Sequence, residues 1–486
     1  MSAHSASAGA YKRSRRLGAA SKVRSHSRAS ARVITVIAAF SITIVRLPLF
    51  VEHKSILDPL ILGTFALCIG WGASRQPRGS FTNYRALWIL LYAVIVVVAL
   101  FRGAELHAYG SLESVVNQGT IYILFAAFGI VLITSAHGRR ERNERLLAIA
   151  FAPAIYVAIN TLMHLAGLQS PEAGGLISSS PAELLGYLGI VSDRTKFPLA
   201  SSVNLYSIVV AAALASMVVV RVRAPRLISR KIAWLVGVAC IYCLLLGDSR
   251  GALAIAIVAV LLLIVRPRLS AYVVAGVIPL LPLIVLGGTS LISGTGLNHD
   301  LSRSGNQFDE VATASGRTFI WEGSWEVLRH LSVQELYGWG AAGHVTSGAS
   351  AHYAYVFPGN TSAETIFTHD VDLQMIFDTG YVGLAIYIFA VGITWRRIQN
   401  YLRDDPKSPA IAFLPILLVI ILSGATEVSP TYYSQEALLT TLLIMGASSA
   451  LPLPPKSDKK RVTTIQAPTP KVASAQLRSD PVKLAR

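Results

Sequence analysis

GRTFIWEGSWEVL (316–328), YGWG (337–340) and FTHD (367–370) all fall within one polar stretch, Thr289 to Met375. On either side of it the chain is built almost wholly of apolar runs. A helix needs about 20 mostly apolar residues to cross roughly 30 Å of hydrocarbon. Twelve runs meet or approach that length, over approximately 33–51, 56–73, 86–101, 118–136, 146–167, 202–220, 232–247, 251–265, 269–288, 376–394, 409–425 and 435–451. Because a helix bonds its own backbone, such a bundle needs no other secondary structure inside a bilayer. The expectation is an all-α integral membrane protein of about twelve transmembrane helices, with 289–375 as one large loop between helices 9 and 10. The runs 232–247 and 251–265 are short and split only by GDSRG. They read either as two spans with a tight turn or as a broken pair dipping into the membrane.

Composition agrees with that reading. Of 486 residues, 53% are hydrophobic and only 14% charged, against about 25% charged in an ordinary soluble domain. The formal charge of +17 would suit a nucleic-acid partner if it formed a stripe. It is instead broken into short clusters between apolar runs, which excludes that class. HGRRERNER (137–145), RVRAPRLISRK (221–231), RPR (266–268) and WRRIQNYLRDDPK (395–407) all fall on one side if the N-terminus is inside, as do both tails. The positive-inside rule then puts both termini in the cytoplasm and 289–375 outside. Trp71, Trp88, Trp234 and Trp395 fall at inner helix ends, as interfacial aromatics do. Between 291 and 375 there are nine acidic residues, three arginines and no lysine.

Residues 1–32 and 452–486 are rich in small, basic or proline residues and read as disordered cytoplasmic tails around a membrane domain at 33–451. The first apolar run has no cleavable leader before it and reads as a signal anchor. Cys68, Cys240 and Cys243 all lie in apolar runs. The last two form a CxxC within one helix, where packing is favoured over redox or metal chemistry.

Four residues stand out as candidates for chemistry. Arg250, in LLLGDSRGALAIAIV (244–258), is flanked by apolar helix on both sides. A cation there needs a partner or an anionic ligand. Asp248 offers a local ion pair, and the neighbouring glycines would expose amides that favour an anion. Arg317 precedes a stretch, 318–331, that reads as an amphipathic helix with Ile320, Trp321, Trp325 and Leu328 along one stripe. Such a helix could rest on a membrane surface with its tryptophans among headgroups. Arg194 lies just before the sixth span, near Lys196 and Asn204. Three guanidinium groups from three outer segments suit a pyrophosphate, since arginine binds phosphate bidentately and keeps its proton. His369 is one of five histidines in the long loop and can accept a proton near neutral pH. Asp370 and Asp372 lie close enough in sequence to orient it. No spaced His/Cys/carboxylate pattern marks a metal site.

At these residues the sequence resembles the bacterial O-antigen ligase/polymerase superfamily. The resemblance rests on Ser249-Arg250-Gly251, the Ser315–Trp321 opening, Tyr337-Gly338-Trp339-Gly340, and Thr368-His369 followed by DLQMIFDTGYVGL. It covers roughly 190–450, whereas the first five helices match only in hydropathy. Asp370 stands where the family more often has Asn or Ser. The resemblance implies an inverting, metal-independent membrane glycosyltransferase on the outer face of the bacterial cytoplasmic membrane, with no cofactor. Its donor would be a polyprenyl-diphosphate-linked glycan and its acceptor a glycan or lipid. Arg194, Arg250 and Arg317 would bind the diphosphate, and His369 would be the general base. A repeat-unit flippase or a chain-length regulator would be its natural partners. A transporter or flippase is the main rival class, and a scaffold is another. Twelve spans suit a transporter, but no half-repeat is evident.

Overall fold

The computed structural model describes residues 84–168, 181–267, 269–277, 317–330, 332–356 and 367–452, with a few single positions besides. The expected spans at 33–51 and 56–73, both tails, and the first part of the long loop lie outside the described residues. Every regular element among the described residues is helical.

Five helices are long and apolar enough to cross a bilayer. They are α1 (Tyr84–Glu105), α2 (Leu112–Thr134), α3 (Gly138–Leu165), α4 (Val203–Arg223) and α11 (Val371–Asp404). Between them come α5 (Arg230–Leu246), α6 (Arg250–Val265), α7 (Leu269–Val277), α8 (Arg317–Leu328), α9 (Val333–Tyr337) and α10 (Ala349–Tyr353). Two more close the bundle, α12 (Phe413–Ser423) and α13 (Gln435–Ser449). Each of the ten expected segments that the described residues reach contains a helix, and among the described residues five of these helices have spanning length.

Polar residues at the ends of the apolar runs set where several helices begin. Ser111, Ser202 and Ser229 cap α2, α4 and α5, each hydroxyl accepting from the amide three residues on. A serine there satisfies one of the amides that a helix start leaves without a partner. The split at GDSRG is real. Gly247 ends α5, Asp248 takes a left-handed backbone at φ 45°, and α6 starts at Arg250. At 17 and 16 residues, α5 and α6 run only about 25 Å each at 1.5 Å per residue. Both pack on α4 and barely touch one another.

The core lies among α2, α4, α12 and α13, whose facing side chains are almost wholly buried. Helices α2 and α13 pack tightly because small residues line the seam. A Cβ added at Gly129 would stand 2.5 Å from the Leu443 carbonyl oxygen, and one at Gly446 would stand 2.3 Å from that of Ala126. Close backbone approach through glycine is the usual solution where lipid offers no hydrophobic drive between helices. Cys240 and Cys243 are buried thiols, and Cys243 Sγ sits 3.3 Å from Thr161 Oγ1 on α3.

Helix α11 is interrupted. Gly380 has φ 72° and ψ 179°, a conformation open essentially to glycine alone, so the helix is two pieces meeting at a break. The break frees the carbonyls of Phe377 and Asp378, which accept instead from the amides of Trp339 (2.7 Å) and Gly340 (3.1 Å). YGWG is thus the element that fills the break. It is fixed on its other side by the Ala341 amide, which donates to Ala99 O of α1 at 2.7 Å.

Candidate active site

The first part of α11 supplies the scaffold of the site. Asp370 is its N-cap, and Oδ1 accepts from the Leu373 amide at 2.9 Å. Burial raises the carboxyl well above the usual carboxylate range, with the Leu373 and Asp372 amides pulling it back. Asn and Ser cap helices as well as Asp does, so Asp370 does the same local work as the Asn or Ser expected there. One residue earlier, His369 has φ 51°, in the left-handed region that non-glycine residues rarely occupy. Holding it there costs about 1–3 kcal/mol.

The strain is held by Thr368. Its amide donates to Gln374 Oε1 at 3.2 Å, its hydroxyl donates to the Asp370 carbonyl at 2.9 Å, and its own carbonyl accepts from Trp321 Nε1 at 3.1 Å. Gln374 is fixed in turn, because its Nε2 donates to Asp378 Oδ1 at 2.9 Å and faces His344 Nδ1 at 3.2 Å. With Oε1 committed to an amide hydrogen, the Gln374 nitrogen must be the donor toward His344, which leaves Nδ1 of that ring unprotonated. Burial, with His369 nearby, pushes the His344 pKa down to about 3. Asp378 also accepts from the Gly343 amide at 3.0 Å, which ties the YGWG loop to the same network.

His369 does not face Asp370 or Asp372. The carboxylate in front of it is Glu427, from the 424–434 segment between α12 and α13. His369 Nδ1 lies 3.4 Å from Glu427 Oε2, and Arg317 Nη2 donates to Oε1 of the same carboxylate at 2.7 Å. Glu427 is buried, whereas the His369 side chain keeps 21% of its surface exposed. Burial alone would raise the Glu427 carboxyl, but the Arg317 guanidinium and His369 hold it below the usual glutamate value. The ring of His369 packs against Phe367 at a tilt of 47° with centroids 4.5 Å apart, and Phe367 packs on Tyr433 at 5.3 Å. The Arg317 guanidinium and the His369 imidazole, 52 residues apart in sequence, therefore share one anion. Asp372 is buried, and neither of its oxygens finds a hydrogen-bond partner among the described residues.

The other two arginines form a second cluster around Gly247–Arg250. Arg194 is buried, and it donates from Nε to Gly247 O and from Nη2 to Asn204 Oδ1, both at 3.2 Å. Arg250 pairs closely with Glu183 and stands 3.7 Å from Asp248 Oδ1. Asp248 itself is fully buried and accepts from the Leu184 amide at 3.0 Å. Glu436, at the start of α13, accepts from the Ser201 amide at 2.9 Å, in the stretch between Arg194 and α4.

Helix α8 differs from its expected amphipathic layout. Ile320, Trp321, Ser324 and Leu328 are buried against α10 and the first part of α11, while Trp325 is 60% exposed. Trp321 is drawn inward because its indole N–H has a partner in the Thr368 carbonyl. Two residues of the site, Glu427 and Glu183, escaped the sequence reading. SGATEVSPTYYS and SPAELLGYL carry no spaced motif, and the only available signal was a carboxylate in a short segment between apolar runs. Among the described residues no three His, Cys, Asp or Glu side chains are grouped as a metal site requires.

No curated protein matches the chain. Residues 235–388 match the family described as O-antigen ligase. That stretch carries Arg250, Arg317, the YGWG loop, His369, Gln374 and the Gly380 break, but neither Arg194 nor Glu427. Over that segment, which holds the strained histidine and the broken helix, the chain is similar to the O-antigen ligase family.

Proposed function

We propose that this protein polymerises or ligates a polyprenyl-diphosphate-linked glycan on the outer face of the bacterial cytoplasmic membrane, with inversion at the transferred sugar. The reading is supported above all by the shared carboxylate. A partly exposed imidazole stands against Glu427 at Nδ1, and a guanidinium stands on the same carboxylate. With Glu427 at Nδ1, the Nε2 of His369 takes the proton of an acceptor hydroxyl. The hydroxyl oxygen attacks the anomeric carbon, the bond from that carbon to the diphosphate oxygen breaks, and polyprenyl diphosphate leaves with the electron pair. Glu427 stabilises the imidazolium formed in the first step, as a carboxylate behind a catalytic histidine does.

Arg194, Arg250 and Arg317 take the diphosphate and balance the charge that grows on it. Glu183 pairs with Arg250, and the diphosphate displaces it. Tyr187, Leu188, Ile190 and Val191 lie exposed just beyond Glu183 and offer an apolar surface for the isoprenoid chain.

His369→Ala tests the proposal. Membranes holding the variant at normal level should transfer no glycan from a polyprenyl-diphosphate-linked donor, while lipid-carrier flipping is unaffected. Transfer at the parent rate would remove His369 as the base, and lost flipping would point to a transporter.

A further inference from the structure

At the end of the bundle away from His369 and Arg194, the ends of α4, α6 and α11 and the start of α7 surround an open cleft of about 710 Å³. Arg194 touches Asn204 at the start of α4, and Arg223 on the cleft wall is the last residue of the same helix. Twenty-one residues of helix separate the two ends by about 30 Å, the thickness of a hydrocarbon core. The cleft therefore sits at the level of the opposite headgroup layer.

Its walls are apolar and its rim is cationic. Leu263, Ala271, Leu402, Ile411 and Leu414 line it, while Arg223, Arg403 and Lys407 stand at its edge. Among the described residues, none that lines it is acidic. A smaller cleft adjoins it across Pro267 and Tyr272 and adds Arg266. These four cations come from three segments that the positive-inside rule assigns to the cytoplasmic side. Arg223 spends part of its donors on the Leu263 and Ile264 carbonyls, and Arg403 donates to Asn400 Oδ1. Arg223, Arg403 and Lys407 all line the cleft, and among the described residues no carboxylate does.

We propose that this cleft binds an anionic glycerophospholipid of the leaflet opposite the glycan-transfer site. The phosphate would rest among Arg223, Arg403 and Lys407, and the first part of an acyl chain would lie on Leu263, Leu402 and Leu414. Charge complementarity selects an anionic headgroup, since a zwitterionic one brings its own cation into a ring of cations. The apolar floor selects a lipid over a free anion, and basic clefts between membrane helices commonly take such headgroups.

The test is binding of dioleoylphosphatidylglycerol to the purified full chain in detergent, followed by thermal unfolding and by native mass spectrometry. Dioleoylphosphatidylcholine and inorganic phosphate serve as the comparison probes. Phosphatidylglycerol should bind and raise the unfolding temperature, and the other two should not. Each cation near a phosphate is worth about a fivefold change in affinity. Arg403→Ala/Lys407→Ala should thus weaken binding by about 25-fold. If that pair does not fold, Lys407→Glu, at an exposed position, should still weaken it at least fivefold. Equal binding of phosphatidylcholine, an equal shift with phosphate alone, or undiminished binding by the variant that folds would each overturn the proposal.

Discussion

Replacing Glu427 by Gln should slow glycan transfer by roughly 30- to 150-fold without removing the protein from the membrane. Gln is nearly isosteric, so it still offers a carbonyl oxygen to Arg317 Nη2, now at 2.7 Å from Oε1. What it loses is the charge 3.4 Å from His369 Nδ1. At that separation and an effective dielectric of about 20, a carboxylate and an imidazolium attract by about 5 kcal/mol. His369 is about one-fifth exposed, and solvent screening together with the neighbouring Arg317 leaves about half of this, or about 2–3 kcal/mol. Each 1.36 kcal/mol is tenfold in rate. The assay is single-turnover transfer from a polyprenyl-diphosphate-linked glycan, with the variant measured alone and combined with His369→Ala. If Glu427 acts through the imidazole, adding Glu427→Gln to His369→Ala costs nothing further. A variant that transfers at the parent rate would refute the argument, and so would full additivity. Because the Glu427 carboxyl is held below the usual glutamate value, its charge persists above about pH 4.5. The rate advantage of the parent over the variant should therefore hold between pH 5 and 8, and shrink only as pH falls through the folded value.

Other substitutions probe the scaffold. A Cβ at Gly380 would stand 2.2 Å from the Leu336 carbonyl oxygen, which is backbone and cannot turn away, in a conformation already reserved for glycine. Gly380→Ala should cost at least about 3 kcal/mol and sharply lower the yield of folded protein in membranes. Glu183→Gln releases Arg250 from its carboxylate partner, and should lower KM for the lipid-linked donor while leaving kcat unchanged. His344 titrates at about 3 in the fold, against 6.5 when unfolded. Between those values the unfolded chain binds more protons, so stability falls as pH drops from 7 toward 4. His344→Gln removes this group, and thermal unfolding of the variant should show a flatter slope across that window.

Among the described residues the helices were legible because apolar length is carried by local composition, and GDSRG could be read as a break because it holds two glycines and two charges. The break at Gly380 could not, since DTGYVGLAIYIF is as apolar as an unbroken helix and one glycine in a helix is common. Its signal lies in YGWG, forty residues earlier, whose amides replace the missing helical donors. His369 could be singled out as a histidine at a helix start. Its partner could not, because Asp370 and Asp372 are nearer in sequence while Glu427 arrives from the far side of α12. Trp321 and Trp325 are four residues apart and looked equivalent. An indole N–H with a buried acceptor separates them, and that acceptor belongs to another segment.

The left-handed backbone at His369 and Asp248 has a consequence for anyone seeking a hardier version of this protein. Glycine or asparagine would sit more comfortably at either position, so a screen rewarding heat tolerance alone would tend to rewrite both. Relaxed variants of that kind should survive warming better, and those that rewrite His369 should lose the proposed base along with the strain, so that resilience and turnover part company at that residue.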